Sequence, residues 1–282
     1  MIIETVGTYR AQWGEGPLWW GDSLLYVDIE KHRVLRFNPA TGEERIFEVG
    51  QRVGTVVPRE KGGLVIAGDT GFLFLDEDGT LTEIGDPEPD QKPDNRFNDG
   101  KCSPDGRFFA GTISLVKKEG NARLYRLDAD LSISEAYGPV TNSNGIVWSA
   151  DGGTAYYIDT PTRQVLAFRY EDGLLLDPKP VVSTANYEWS PDGMTIDSTG
   201  NLWVAFCHGG CVICYDPATG AQLQKIDLPC VETTACAFGG PDLADLYVTT
   251  GVHKSLVEPD AGRLFVIRGL GVTGLPAHAF AG

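Results

Sequence analysis

The chain has 282 residues, of which 42% are hydrophobic and 35 are glycine, and its 23 basic and 39 acidic side chains give a net charge of −16. Such acidity excludes nucleic acid and anionic membrane surfaces as natural partners, and no stretch approaches the roughly 18 uninterrupted apolar residues of a membrane span. The start, MIIETVGTYR, lacks the basic and apolar regions of a secretory signal, so a cytoplasmic protein is expected. Six cysteines, at 102, 207, 211, 214, 230 and 236, are too few and too unevenly placed for a secreted disulfide framework.

After an opening strand, IIETV, one pattern repeats along the chain. The first copy runs through LYVD from Leu25, VLRFN and the turn-plus-strand NPATGEERIFEV. The second has LVIA from Leu64, FLFLD and DEDGTLTEI, and the third has FFAG from Phe108 and LYRLD. YYID from Tyr156 with VLAFR, LWVA from Leu202 with VICYD, and LYVT from Leu246 with LFVIR complete the series. A period of about 45 residues with about four strands per unit is the signature of a β-propeller. The expected fold is therefore all-β: a six-bladed β-propeller with four strands per blade. Its ring is closed by the N-terminal strand, and residues 1–282 form one domain.

Counting back ten residues from four of these anchors lands on Glu15, Gly54, Asn98 and Asp192. Counting back twelve from Tyr156 and Leu246 lands on Asn144 and Thr234. In a propeller this position opens the innermost strand beside the central channel, so these side chains can converge on one axis. As single copies, Asn-Gly and Asp-Gly are turn formers. Glu15 has no such preference, and four oxygen-bearing side chains in six equivalent slots point to a site.

Glu15, Asp192 and Asn144 make a hard, all-oxygen donor set. It suits Ca²⁺, Mg²⁺ or Mn²⁺, with Zn²⁺ possible but less natural, and leaves positions open for water or substrate. Arg96 stands two residues before Asn98 and shares its strand face; together they can bind the hydroxyls or carboxylate of a polyol-like substrate. Equally, Arg96 can form a salt bridge with Asp94 or Asp99. Cys207, Cys211 and Cys214 fall in a hairpin whose alternation separates Cys211 from Cys214, so core or surface thiols are expected. His208 and His253 are expected as solvated loop residues, and the repeated PDG and ATG elements as turns.

From WGEGPLWW through RFNDGKCSPDGRFFAGT, SNGIVWSADGGTAYYID, PDGMTID, GNLWVAFCHGG and FGGPDLADLYVTT to GLGVTGLPAHAF, the chain resembles the regucalcin (senescence marker protein)/gluconolactonase family of six-bladed propellers. The resemblance implies metal-dependent hydrolysis of aldonolactones at one divalent cation in the central channel, held by Glu15, Asn144 and Asp192. It also places Arg96 and Asn98 against the substrate; Asp192, beside the cation, is the expected general base. The segment AGTISLVKKEGNARLYRL departs from the animal members: Val116 falls where their loop carries an acidic residue, and Glu119 is the available substitute. Two other readings remain. One is a phosphotriesterase or fluorophosphatase-like hydrolase with an apolar rim of Phe97, Tyr187 and Trp189; the other is a non-catalytic Ca²⁺-binding regulatory protein. The partner expected is a small sugar lactone, with the protein a monomer or weak homodimer.

Overall fold

Short β-branched and aromatic runs, most of them ended by an Asp, Gly or Pro turn, pair with their sequence neighbours, except for the first strand, which pairs with the last. In the computed structural model, which describes residues 1–282, they form six four-stranded antiparallel sheets. Blade 1 consists of Gly14–Trp20, Ser23–Asp28, Arg33–Asn38 and Glu43–Glu48. Blades 2 to 5 occupy residues 53–85, 95–140, 143–183 and 190–227. Blade 6 takes three strands from residues 233–268, and its outer strand is Ile2–Val6, registered so that Ile2 faces Arg268 and Val6 faces Leu264. The six-bladed ring closed by the N-terminal strand is thus as the repeat predicts.

Each inner strand slips register with its neighbour at, or just after, the residue facing the channel. The slips fall between Glu15 and Leu18, Val53 and Thr55, Phe97 and Gly100, Ser143 and Ile146, Pro191 and Met194, and Thr233 and Ala235. A β-bulge bends the strand and re-aims a side chain. Here it turns the side chains of Glu15, Asn98, Asn144 and Asp192 toward one cavity on the axis. The PDG at 191–193 is accordingly part of a bulged strand, not the turn its composition suggests, whereas the PDG at 104–106 is a turn.

Glycine follows several of these residues because the next blade's inner strand passes at contact distance. A Cβ on Gly145 would lie 2.5 Å from the Met194 Cβ, and one on Gly193 would lie 2.3 Å from the Ala235 Cβ. On Gly54 it would lie 2.3 Å from the Asn98 carbonyl oxygen. Gly193→Ala is therefore expected to cost about 1–3 kcal/mol, the usual penalty of overpacking. Denaturant or thermal unfolding measures it; a wild-type midpoint would show that the blades can slide apart without cost.

Faces between blades carry the core. Phe97 stacks obliquely on Phe72 at 4.7 Å and is fully buried. This overturns its expected place on an apolar rim: it stands between Arg96 and Asn98, so strand alternation points it away from the channel. Cys211 and Cys214 do fall into separate core clusters on the two faces of blade 5. On the face opposite the site, the C-terminal tail crosses the ring, bridging Asp197 at Gly274 and Arg59 at Phe280. No helix is long and apolar enough to cross a membrane.

Candidate metal and substrate site at the channel mouth

The loops leading into the inner strands are held by aspartates that end the second strands. Asp28 accepts hydrogen bonds from the Trp13 and Gln12 amides at 3.1 and 2.9 Å. Asp159 does the same for Asn142 at 2.9 Å and Thr141 at 3.2 Å. These contacts fix the backbone two residues before Glu15 and Asn144. That explains why LYVD and YYID carry their terminal Asp.

Glu15, Arg96, Asn98, Asn144 and Asp192 all line one cavity of about 170 Å³ at the channel mouth. Trp13, Asn142, Ser190, Cys207 and His208 also reach it. Two tiers are present. The inner tier holds the residues found by counting. The outer tier lies two residues earlier in each strand: Trp13, Arg96, Asn142, Ser190 and, in blade 6, Glu232. Period-two alternation keeps both tiers on one face. Extending the count by two would have found Glu232, which the sequence reading missed.

The amides are oriented by the protein. Asn144 Nδ2 donates to Thr160 Oγ1 at 2.7 Å, and that hydroxyl donates to the Pro191 carbonyl at 2.9 Å. Asn144 Oδ1 accepts from Asn98 Nδ2 at 3.2 Å, and Asn98 Nδ2 also donates to the Ser143 carbonyl at 2.8 Å. Arg96 Nη1 donates to Asn98 Oδ1 and to the Phe97 carbonyl, both at 2.8 Å. No carboxylate lies within salt-bridge distance of Arg96, so the alternative pairing with Asp94 or Asp99 does not form. Its Nε is buried without a partner, and burial lowers its pKa. Asn98 commits its donors to protein acceptors, so it steadies Arg96 and Asn144 first and has one Oδ1 lone pair left over.

The electrostatics are those of crowded buried carboxylates. Burial pushes the Glu15 carboxyl well above its ordinary range, reinforced by Asp192 and Asp99. Burial does the same to Asp192, with Asp99 and Glu232 adding to it and Arg96 opposing. Burial also raises Asp99, against the pull of Lys101. This excess of buried negative charge, with two carboxylates and a pre-oriented amide oxygen on one wall, fits a divalent cation of the hard class.

Cys207 and His208 share a partner that the sequence does not reveal. Cys207 Sγ donates to Glu232 Oε2 at 3.1 Å, and His208 Nδ1 lies 2.9 Å from the same oxygen. Cys207 is a buried free thiol and His208 an exposed turn residue, as expected, but both also contact Glu232. Their partner comes from another blade, beyond the reach of local spacing. Glu119 is exposed and does not line the cavity. Tyr187 and Trp189 stack on each other at 5.1 Å outside it.

Six four-stranded blades around a channel whose mouth gathers oxygen donors from separate blades define a β-propeller with a polar axial site. A profile described as SMP-30/Gluconolactonase/LRE-like region matches residues 13–252, and the chain belongs to that family. It is 41% identical to regucalcin of Danio rerio over 292 aligned residues, which cover 99% of this chain and 98% of that protein. Among solved structures it is similar to a luciferin-regenerating enzyme, with a TM-score of 0.91, 28% identity and 99% of both chains covered. A calcium-binding protein, regucalcin, of Agrobacterium tumefaciens shares the fold with a TM-score of 0.90 at 24% identity, covering 96% of this chain and 95% of that one.

Proposed function

We propose that this protein hydrolyses sugar-acid lactones with the help of one divalent cation, Ca²⁺ foremost, held by Glu15, Asn144 and Asp192. The observation that carries this reading is the convergence of those three oxygen donors, from blades 1, 4 and 5, on the cavity that also contains Arg96. Membership of a family whose description includes gluconolactonase supports it. A cation held by these three residues would supply Lewis acidity and positive charge at the reacting carbonyl.

The chain's own groups do the rest. Asp192 takes a proton from the attacking water as the new C–O bond forms. The ring C–O bond then breaks, and the departing ring oxygen recovers a proton to give the free hydroxy acid. Arg96, with an unpartnered Nε and a planar donor array, holds ring hydroxyls. Asn98 keeps that guanidinium and the Asn144 amide in place. The burial of Phe97 removes part of the apolar rim that an organophosphate would use, which favours the lactone reading over a phosphotriesterase.

The test is a panel of glucono-, galactono-, xylono- and gulonolactone crossed with Ca²⁺, Mg²⁺, Mn²⁺ and Zn²⁺. Acid release from at least one lactone, lost on chelation and restored by metal, is expected. No acid release with any combination defeats the reading. A calorimetric Ca²⁺ titration on the same protein then tells whether binding without turnover, as in a regulatory calcium-binding protein, describes it better.

A further inference from the structure

Beside the oxygen-lined site stands a second group of a different chemical kind. Cys207, His208 and Glu232 bring one ligand atom each to within 4.8 Å of one another. His253 Nε2 lies 3.8 Å from Glu232 Oε1, and the two imidazoles meet edge to face at 6.4 Å. We infer that Cys207, His208, Glu232 and His253 form a second cation site, selective for a borderline metal such as Zn²⁺, that adjoins the hard-cation site at Glu15, Asn144 and Asp192 and shares no ligand with it.

Three observations carry this. First, the donors are of the right kind: thiolate and imidazole select Zn²⁺ over Ca²⁺ or Mg²⁺, which prefer oxygen alone. Second, the charge needs it. Glu232 is 2% exposed, and the only groups within 4.0 Å that can carry positive charge are the two histidines. Asp192 is near enough for Glu232 to help raise its pKa, so the surroundings add negative charge rather than cancel it. A divalent ion with one thiolate, one carboxylate and two neutral imidazoles is electrically balanced. Third, the group is preorganised. Cys207 and Glu232 are joined by a backbone bridge between blade 5 and the entry to blade 6. The His208 amide donates to Glu232 Oε2 at 3.2 Å, and His208 is held at φ 66°, a left-handed conformation unusual for a non-glycine residue. Bond lengths of 2.0–2.3 Å around tetrahedral zinc imply ligand-to-ligand separations of about 3.3–3.8 Å. Modest side-chain rotations close the gap from 4.8 Å.

Cobalt is the probe, because it reports ligand type without any activity measurement. The full-length metal-free protein is titrated with Co²⁺ and its absorption recorded. A saturable sulfur-to-cobalt charge-transfer band is expected, with total uptake of up to two equivalents across both sites, and the band should vanish in Cys207→Ser. It should persist in Asn144→Ala, whose defect lies in the other site, so failure here and failure of the proposed lactonase centre are separable. His208→Ala, at a side chain 58% exposed and safe for folding, should weaken the sulfur-ligated Co²⁺ at least tenfold. Absence of the band, its survival in Cys207→Ser, or unchanged affinity in His208→Ala overturns the second site.

Discussion

Asp192→Ala should abolish lactone hydrolysis even at saturating metal. The substitution removes a cation ligand and the proposed base together, and general-base catalysis alone contributes about 10²–10⁴-fold. Added metal can restore occupancy, but it cannot restore the proton acceptor. The fold should persist, because Asp192 lies among Glu15, Asp99 and Glu232 and its removal relieves repulsion between buried carboxylates. Asp192→Asn separates the two duties: it keeps an oxygen ligand and loses the base, so metal binding should largely survive while turnover falls. Steady-state rates with calorimetric metal titration and a cooperative melting curve test both variants. Turnover near wild type in Asp192→Ala would remove this residue from the chemistry.

The second large effect concerns Asn144. Its Oδ1 is aimed by the Thr160 hydroxyl on one side and Asn98 on the other, and it is 2% exposed. Asn144→Ala should weaken the metal roughly 10-fold or more, about 1.4 kcal/mol for each decade, with little change in overall stability. Asn144→Asp should do the opposite in a diagnostic way. It adds a carboxylate to a crowd already short of cations, so the metal-free protein should melt lower. Saturating metal should then recover more stability than in the wild type, because the ion binds the native state more tightly. Turnover should drop, since a third carboxylate drains the ion's Lewis acidity. An Asn that only shaped the backbone would be replaceable by Asp without any of this. Wild-type metal affinity in Asn144→Ala would return the residue to a purely structural role.

The propeller was legible because its signal is global: a strand pattern repeated six times survives irregularity in any one copy. The inner tier was legible for the same reason. Glu15, Asn98, Asn144 and Asp192 are unremarkable singly and informative only as equivalents. What escaped was whatever depended on parity or on contacts between blades. Phe97 was assigned to a rim although it alternates with Arg96 and Asn98, and the structure buries it against Phe72. The bulges were not visible, since an extra unpaired residue looks in sequence like any other strand residue, and PDG at 191–193 looks like the turn at 104–106. Glu232 was passed over because the sixth slot holds Thr234, and the carboxylate sits one tier further out. Its pairing with Cys207 and His208 joins residues 24 and 25 positions apart across two blades, a distance at which no spacing rule applies.

The strand that closes the ring has a consequence for how the protein is made. Ile2–Val6 is made before every other strand of the ring, yet its partner, Leu264–Arg268, is the last strand of the series. At translation rates of about 5–20 residues per second, the opening strand waits on the order of ten seconds or more with an unsatisfied edge. Five residues carrying Glu4 and Thr5 among the apolar ones make a short, interrupted edge that resists premature pairing with other nascent chains. Until that late strand emerges, blade 6 lacks two of its four strands, Leu264–Arg268 and the Ile2–Val6 strand that pairs with it. The ring of blades therefore closes only once Leu264–Arg268 has been made, so circular closure follows the completion of every other strand.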